Sequence, residues 1–200
     1  MQDTIERPYH HGDLRRALIE TAMAMLQEGK GWQFTLREVA RRAGVSHAAP
    51  YKHFPDKAAL LTELALVGFD RLREAFDAAK PPHPASVKDE LVVAAQAYIR
   101  FGTANPALYR LMFSTDDKAS SLHLSERALG AFEVLTALLA RGQAAGVFRE
   151  RPVQGQAAAC WALCHGITTL AIEHLLLPEK VGVGAVEAAL VTLFEGVAQD

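Results

Sequence analysis

Residues 35–57, TLREVARRAGVSHAAPYKHFPDK, hold the side chains whose types and spacing best suit a recognition chemistry. Thr35, with Glu38 three residues later, forms a capping box that opens a helix, and Leu36, Val39, Ala40 and Ala43 supply its buried stripe. Gly44 can take the positive φ of a tight turn, and Ser46 can cap a short following helix to about Phe54. Val39, Ala40, Val45 and Phe54 would lock the two helices together, which is the layout of a helix-turn-helix. The second helix then exposes His47, Ala48, Ala49, Tyr51, Lys52 and His53. Small side chains let a helix approach base edges in the DNA major groove, while Tyr, Lys and His offer donors to phosphates and bases. His47 and Ala48 are the candidate base readers; Tyr51, His53 and Lys57 are the candidate phosphate contacts, or else surface and packing residues. Ser46, Ala49, Arg37 and Lys52 complete the DNA-facing set, with Arg41 and Arg42 on the same basic face. Thr35 could donate to a phosphate at the positive end of its helix, or serve only as the N-cap; either role accounts for it.

The remaining reactive types do not assemble into a catalytic or metal-binding pattern. Cys160 and Cys164 stand at i, i+4 with His165 adjacent. On an ideal helix His165 points about 100° away from Cys164, which disfavours both a thiolate–imidazole pair and a shared metal. Buried structural thiols are the expectation. No nucleotide-binding motif, metal spacing or carboxylate pair suggesting hydrolysis is present, so no cofactor, no metal and no enzymatic activity are expected.

Helices must position these residues, because no segment alternates as a strand would. An apolar stripe from Leu14 to Leu26, opened by Asp13, gives a first helix that Gly29 and Gly31 stop. A long helix is expected over about 56–79, closed by the Pro81-Pro82-His83-Pro84 cluster. Further helices are read at about 87–104, 106–113 (with Asn105 as cap), 122–145, 154–177 and 184–198, with a polar loop at 116–121. The expected fold is all-α with about nine helices: a three-helix head at 1–56 and a helical body at 57–200. Phe76, Tyr98, Phe101, Tyr109, Phe113, Phe132, Trp161 and His165 could line a cavity in that body, or simply fill its core. The last two long helices are apolar on more than one face, so they sit either at a core centre or against a second subunit.

Composition sets the outer bounds. Half of the 200 residues are hydrophobic and 22% are charged, which is globular and neither disordered nor fibrous. The longest apolar run, Ala157–Cys164, is far short of the roughly 20 residues a membrane-spanning helix needs. No basic segment followed by an apolar core opens the chain, and two cysteines make no disulfide framework; a cytoplasmic location is expected. The net charge of −2 hides an asymmetry: residues 1–60 carry nine Lys/Arg against seven Asp/Glu, and residues 61–200 carry twelve against sixteen. That is a basic head on an acidic body.

With those residues in view, the chain resembles the TetR family of one-component transcriptional regulators. The likeness rests on Thr35, Arg37, Val39-Ala40, Ala43-Gly44-Val45-Ser46, Tyr51, His53-Phe54 and Lys57, and covers about residues 10–65. The body resembles the subgroup marked by a Trp and a His-Gly pair, here Trp161 and His165-Gly166, with an opening Tyr9-His10-His11-Gly12. The resemblance implies a homodimer formed by the helices at about 154–177 and 184–198. It also implies binding to double-stranded operator DNA, a small-molecule effector, and repression rather than activation. Two residues depart from the family pattern: Ala48 where Gly is common, and Pro50 where a branched apolar residue is common. Pro50 removes one helical hydrogen bond at the carbonyl of Ser46, a loss expected to stay within the first turn. Two other readings stay open, a DNA-binding dimer without an effector and a helical carrier or enzyme that merely keeps the head.

Overall fold

Helix caps and glycine stops divide the chain into the elements that position the site. The computed structural model describes residues 11–80, 86–114, 122–123 and 125–197. The expected Tyr9-His10 opening, the proline cluster, the polar loop at 116–121 and Ala198 lie outside them. Helix α1, His11–Met25, begins two residues before Asp13, so Asp13 lies within the helix rather than capping it. It widens into a π-type turn, Leu26–Lys30, and the chain turns out at Gly29 and Gly31, both at positive φ. Helix α2 is Leu36–Arg42. Helix α3, Lys57–Ala79, is opened by Asp56, whose carboxylate accepts from the Ala59 amide at 2.7 Å.

Helix α4, Val87–Ala104, and helix α5, Pro106–Met112, meet at Asn105. Asn105 does not cap α5 with its side chain; its Nδ2 donates instead to the Phe101 carbonyl at 2.9 Å and closes α4. Helix α6, Glu126–Ala144, starts four residues later than expected because Ser125 caps it, accepting from the Ala128 amide at 3.3 Å. Helix α7, Val153–Ile172, ends five residues early. Its last turn closes through the Leu175 amide, which donates to the Leu170 carbonyl at 2.8 Å while His174 takes φ +55°. A four-residue turn, Pro178–Val181, leads to helix α8, Ala185–Val197. No β-strand occurs among the described residues.

One cluster of buried apolar side chains runs from Leu14 in α1 to Phe194 in α8, so head and body share a continuous core. Helix α3 lies at its centre, packed on α1 at one end and on α4, α5 and α6 along its length. Helices α4 and α7 approach closely because Gly102 faces Thr168 and Tyr109, where a methyl group would overlap both side chains. That approach brings Tyr98, one turn earlier on α4, toward α7.

Candidate nucleic-acid interface and body cavity

The head is built around the expected capping box. The Glu38 amide donates to Thr35 Oγ1 at 3.2 Å, while the Thr35 amide donates to Glu38 Oε2 at 2.7 Å and its hydroxyl donates to the same oxygen at 2.9 Å. The hydroxyl of Thr35 is thus already engaged as an N-cap. Leu36, Val39 and Ala40 are buried, and Gly44 turns the chain at φ +70°.

After the turn, the expected helix from Ser46 to Phe54 is not an α-helix. Residues Ala49–Lys52 form a single 3₁₀ turn, with no side-chain cap from Ser46. Pro50 stands in this turn and has no amide hydrogen to give to the Ser46 carbonyl. That carbonyl takes the Ala49 amide instead at 2.9 Å, in the tighter i→i+3 pattern, and the Pro50 carbonyl accepts from the amides of His53 and Phe54, each at 2.9 Å. The bond from the Phe54 amide to the Pro50 carbonyl is of the i→i+4 type, so the direct effect of the proline is the one bond lost at the Ser46 carbonyl. Pro50 itself is buried, and it pins this short segment onto the core.

The segment presents what a nucleic-acid surface needs. Ser46, His47, Ala48 and Lys52 are exposed, Tyr51 is 51% exposed, and Ala49 is half-buried. Arg37 is exposed on α2. Lys57 places its ammonium over the Phe34 ring, 5.8 Å from the centroid. Two expected members are constrained. His53 is half-buried, and its Nε2 is buried without a hydrogen-bond partner among the described residues. Arg42 forms a two-point ion pair with Glu28, with Nη1 donating to Oε2 at 2.6 Å, so it braces α2 against the turn after α1.

The second site is a partly open cavity of about 300 Å³ in the body, bounded by α3, α4, α6, α7 and α8, with the exposed Trp161 and Leu129 in its wall. Phe76, Tyr98, Phe113, Phe132 and Trp161 line it, as expected. Phe101, Tyr109 and His165 do not. Phe101 is buried in the packing, while Tyr109 and His165 stand behind Tyr98 in a hydrogen-bonded chain. Trp161 Nε1 donates to Tyr98 Oη at 3.2 Å; Tyr98 Oη and Tyr109 Oη lie 3.0 Å apart; Tyr109 Oη and His165 Nδ1 lie 2.7 Å apart. Burial holds the Tyr98 phenol far above its usual range and pushes Tyr109 up to about 12, so both stay protonated. Burial also lowers His165 and His123, which favours neutral rings at pH 7.

His123, Cys160, Cys164, Leu193 and Phe194 also line the cavity and were not expected there. The cysteines could have been found, since they share one helical stripe and Trp161 stands at i, i+3 to Cys164. His123 gave no signal, because nothing periodic surrounds it. Burial pushes the Cys160 thiol up to about 11 and that of Cys164 to about 12.

An ion-pair network joins α1, α3 and α6. Arg127 on α6 donates to Glu63 at 2.9 Å and through Nε to Asp70 at 2.8 Å, both on α3, and Glu63 also pairs with Arg15 of α1 at 2.8 Å. Residues 128, 129, 131 and 132, which follow Arg127 directly, form part of the cavity wall.

A helix-turn-helix with an exposed basic surface, carried on an all-helical body, defines a class of DNA-binding regulators. Comparison with known proteins places the chain within that class. Residues 18–64 match the family of bacterial regulatory proteins, tetR family, and residues 91–193 match the tetracyclin repressor-like C-terminal domain. A protein with unknown function from Rhodococcus sp. RHA1 is 36% identical, with 97% of this chain and 100% of that one covered and a TM-score of 0.82. A bacterial regulatory protein in the tetR family from Rhodococcus RHA1 is 21% identical over 94% of this chain and 98% of its own, with a TM-score of 0.65. The fatty acid degradation regulator FadR from Bacillus halodurans shares the fold at 16% identity, covering 94% of this chain and 97% of its own, with a TM-score of 0.70. No curated protein matches the chain. The chain belongs to the TetR family and is a DNA-binding transcriptional regulator of that family. No helix among the described residues is long and apolar enough to cross a membrane.

Proposed function

We propose that the protein is a cytoplasmic, non-enzymatic repressor that binds operator DNA as a homodimer and releases it when a small molecule fills the body cavity. The observation that carries this reading is the exposed segment after Gly44: small or hydrogen-bonding side chains at 46–49, flanked by Tyr51 and Lys52. In this reading His47 and Ala48 face base edges, with Ser46 and Ala49 beside them. Tyr51, Lys52, His53, Lys57, Arg37 and the helix end at Thr35 hold the phosphates. Residues 1–56 act as the DNA-binding unit and 57–200 as the sensing and dimerising unit.

Dimerisation is supported by the outer faces of the last two long helices. Ala158, Ala159, Ala162 and Leu170 are exposed on α7, and Val191 is 53% exposed on α8. Small side chains beside larger apolar ones suit close packing against a second copy. The route from cavity to DNA is supported by α3, which lines the cavity with Phe69, Leu72 and Phe76 and packs on α1 at its other end. Arg127, next to the cavity wall, is tied to α3 through Glu63 and Asp70. A ligand that prefers one tilt of α3 changes the spacing of the two recognition segments, and the coupling equals its differential affinity for the two states.

The experiment is a salt titration of operator binding by wild-type protein and by Lys57→Ala and Tyr51→Phe. Removing the Lys57 charge should weaken all sequences alike and lower the salt slope by about one. Tyr51→Phe should weaken binding without changing that slope. An unchanged affinity and slope in Lys57→Ala would remove Lys57 from the phosphate contacts.

A further inference from the structure

The cavity carries information about what enters it. Its volume of about 300 Å³ is roughly twice the ~150 Å³ of an apolar cavity that takes up benzene. Among the described residues that line it, none bears a formal charge. Its polar atoms come from Tyr98, Trp161, His123 and two buried thiols.

Tyr98 Oη is the polar atom with capacity to spare. A phenol oxygen holds one hydrogen and two lone pairs. The Trp161 indole spends one lone pair, at 3.2 Å. Tyr109 Oη, at 3.0 Å, takes either the hydrogen or the second lone pair. His165 Nδ1 approaches Tyr98 Oη at 3.3 Å, but it has a single hydrogen or lone pair, and that is committed to Tyr109 at 2.7 Å. One place therefore remains on Tyr98, on a residue of the cavity wall. If His165 carries its proton on Nε2, hydrogens run Tyr98→Tyr109→His165 and the open place is a lone pair. If the proton is on Nδ1, the chain runs in reverse and the open place is the Tyr98 hydrogen. Both a hydroxyl and a carbonyl can be received.

We propose that the cavity binds an uncharged, mostly apolar molecule of two-ring size whose single hydroxyl or carbonyl oxygen pairs with Tyr98 Oη. The inference rests on the reading of the cavity as the effector site. A carboxylate or ammonium against this apolar lining would lose much of its hydration without a counter-charge, whereas one neutral oxygen gains Tyr98 Oη as a partner.

The test titrates the full-length protein by calorimetry with four probes of one ring system: naphthalene, 2-acetylnaphthalene, 2-naphthoate and 2-naphthylmethylammonium. The ketone should bind about tenfold more tightly than naphthalene, and both ions at least about hundredfold more weakly than the ketone. Tyr98→Phe should bring ketone and naphthalene to parity, and Ala131→Phe, which fills the cavity, should abolish binding of both. Should Tyr98→Phe fail to fold, the neutral-against-charged series on the wild type still decides.

If an ion binds as well as the ketone, or Tyr98→Phe keeps the ketone preference, the ligand class is wrong; loss of binding in Ala131→Phe would then still leave the cavity as the effector site. If none of the four binds, or Ala131→Phe changes nothing, both the ligand class and the cavity reading fall.

Discussion

At the residue scale, the sequence marked the right side chains more often than their orientation. Aromatic residues with hydrogen-bonding atoms were legible as cavity or core candidates, yet periodicity could not say that Tyr98 faces the space while Tyr109 and His165 stand behind it. That distinction depends on how closely α4 approaches α7 at Gly102, a contact between residues 66 apart in sequence. The Arg15–Glu63–Arg127–Asp70 network left no trace for the same reason. The half-buried imidazoles have a consequence for stability. His165 and His123 are held below the usual histidine value near 6.5 because burial penalises the charged ring. Below about pH 6.5 the unfolded chain therefore binds more protons than the folded one, and stability falls as pH falls through that range. Thermal melts from pH 7.5 to 5.5 should show a declining Tm, and His165→Gln should flatten the decline. An equal slope in the variant would show that His165 is not among the groups responsible.

At the element scale, helix ends were legible where a residue with strong backbone preferences stands. Gly44 ends α2, Gly146 follows α6 at φ +67°, and Asp56 caps α3. They were illegible where tertiary packing decides. The run Leu175-Leu176-Leu177 continues an apolar pattern, so nothing in it announces that α7 ends at Ile172. The segment at 49–52 shows a stronger conflict between family pattern and local chemistry, because Pro50 replaces an α-helical bond with a 3₁₀ turn. Pro50→Ala restores an amide hydrogen directed at the Ser46 carbonyl. Residues 47–53 should rewind toward an α-turn, visible as hydrogen-exchange protection of the new amide. The preferred half-site should change, while Tm moves by only a few degrees (roughly 1–2 kcal/mol of lost burial). An unaltered half-site preference would show that the proline does not set how this segment meets the groove.

At the scale of the whole molecule, the continuous core from Leu14 to Phe194 means that head and body cannot shift independently of α3. The charge asymmetry visible in the sequence, +2 against −4, agrees with a head that approaches a polyanion and a body that does not. The proposed dimer would bury the outer face of α7 and α8. Val191→Glu would put an unpaired charge into that proposed apolar interface, so it should leave the protein monomeric in sedimentation and weaken operator binding on the order of 100-fold. A dimer that persists with unchanged affinity would move the interface elsewhere. In the proposed function two copies read DNA together through residues 46–53, and selection of bound duplexes from a random pool tests this reading. The selected duplexes should carry an inverted repeat whose half-site centres lie about 34–36 Å apart, or a multiple of that spacing. Weak, salt-sensitive binding with no enriched sequence would contradict it.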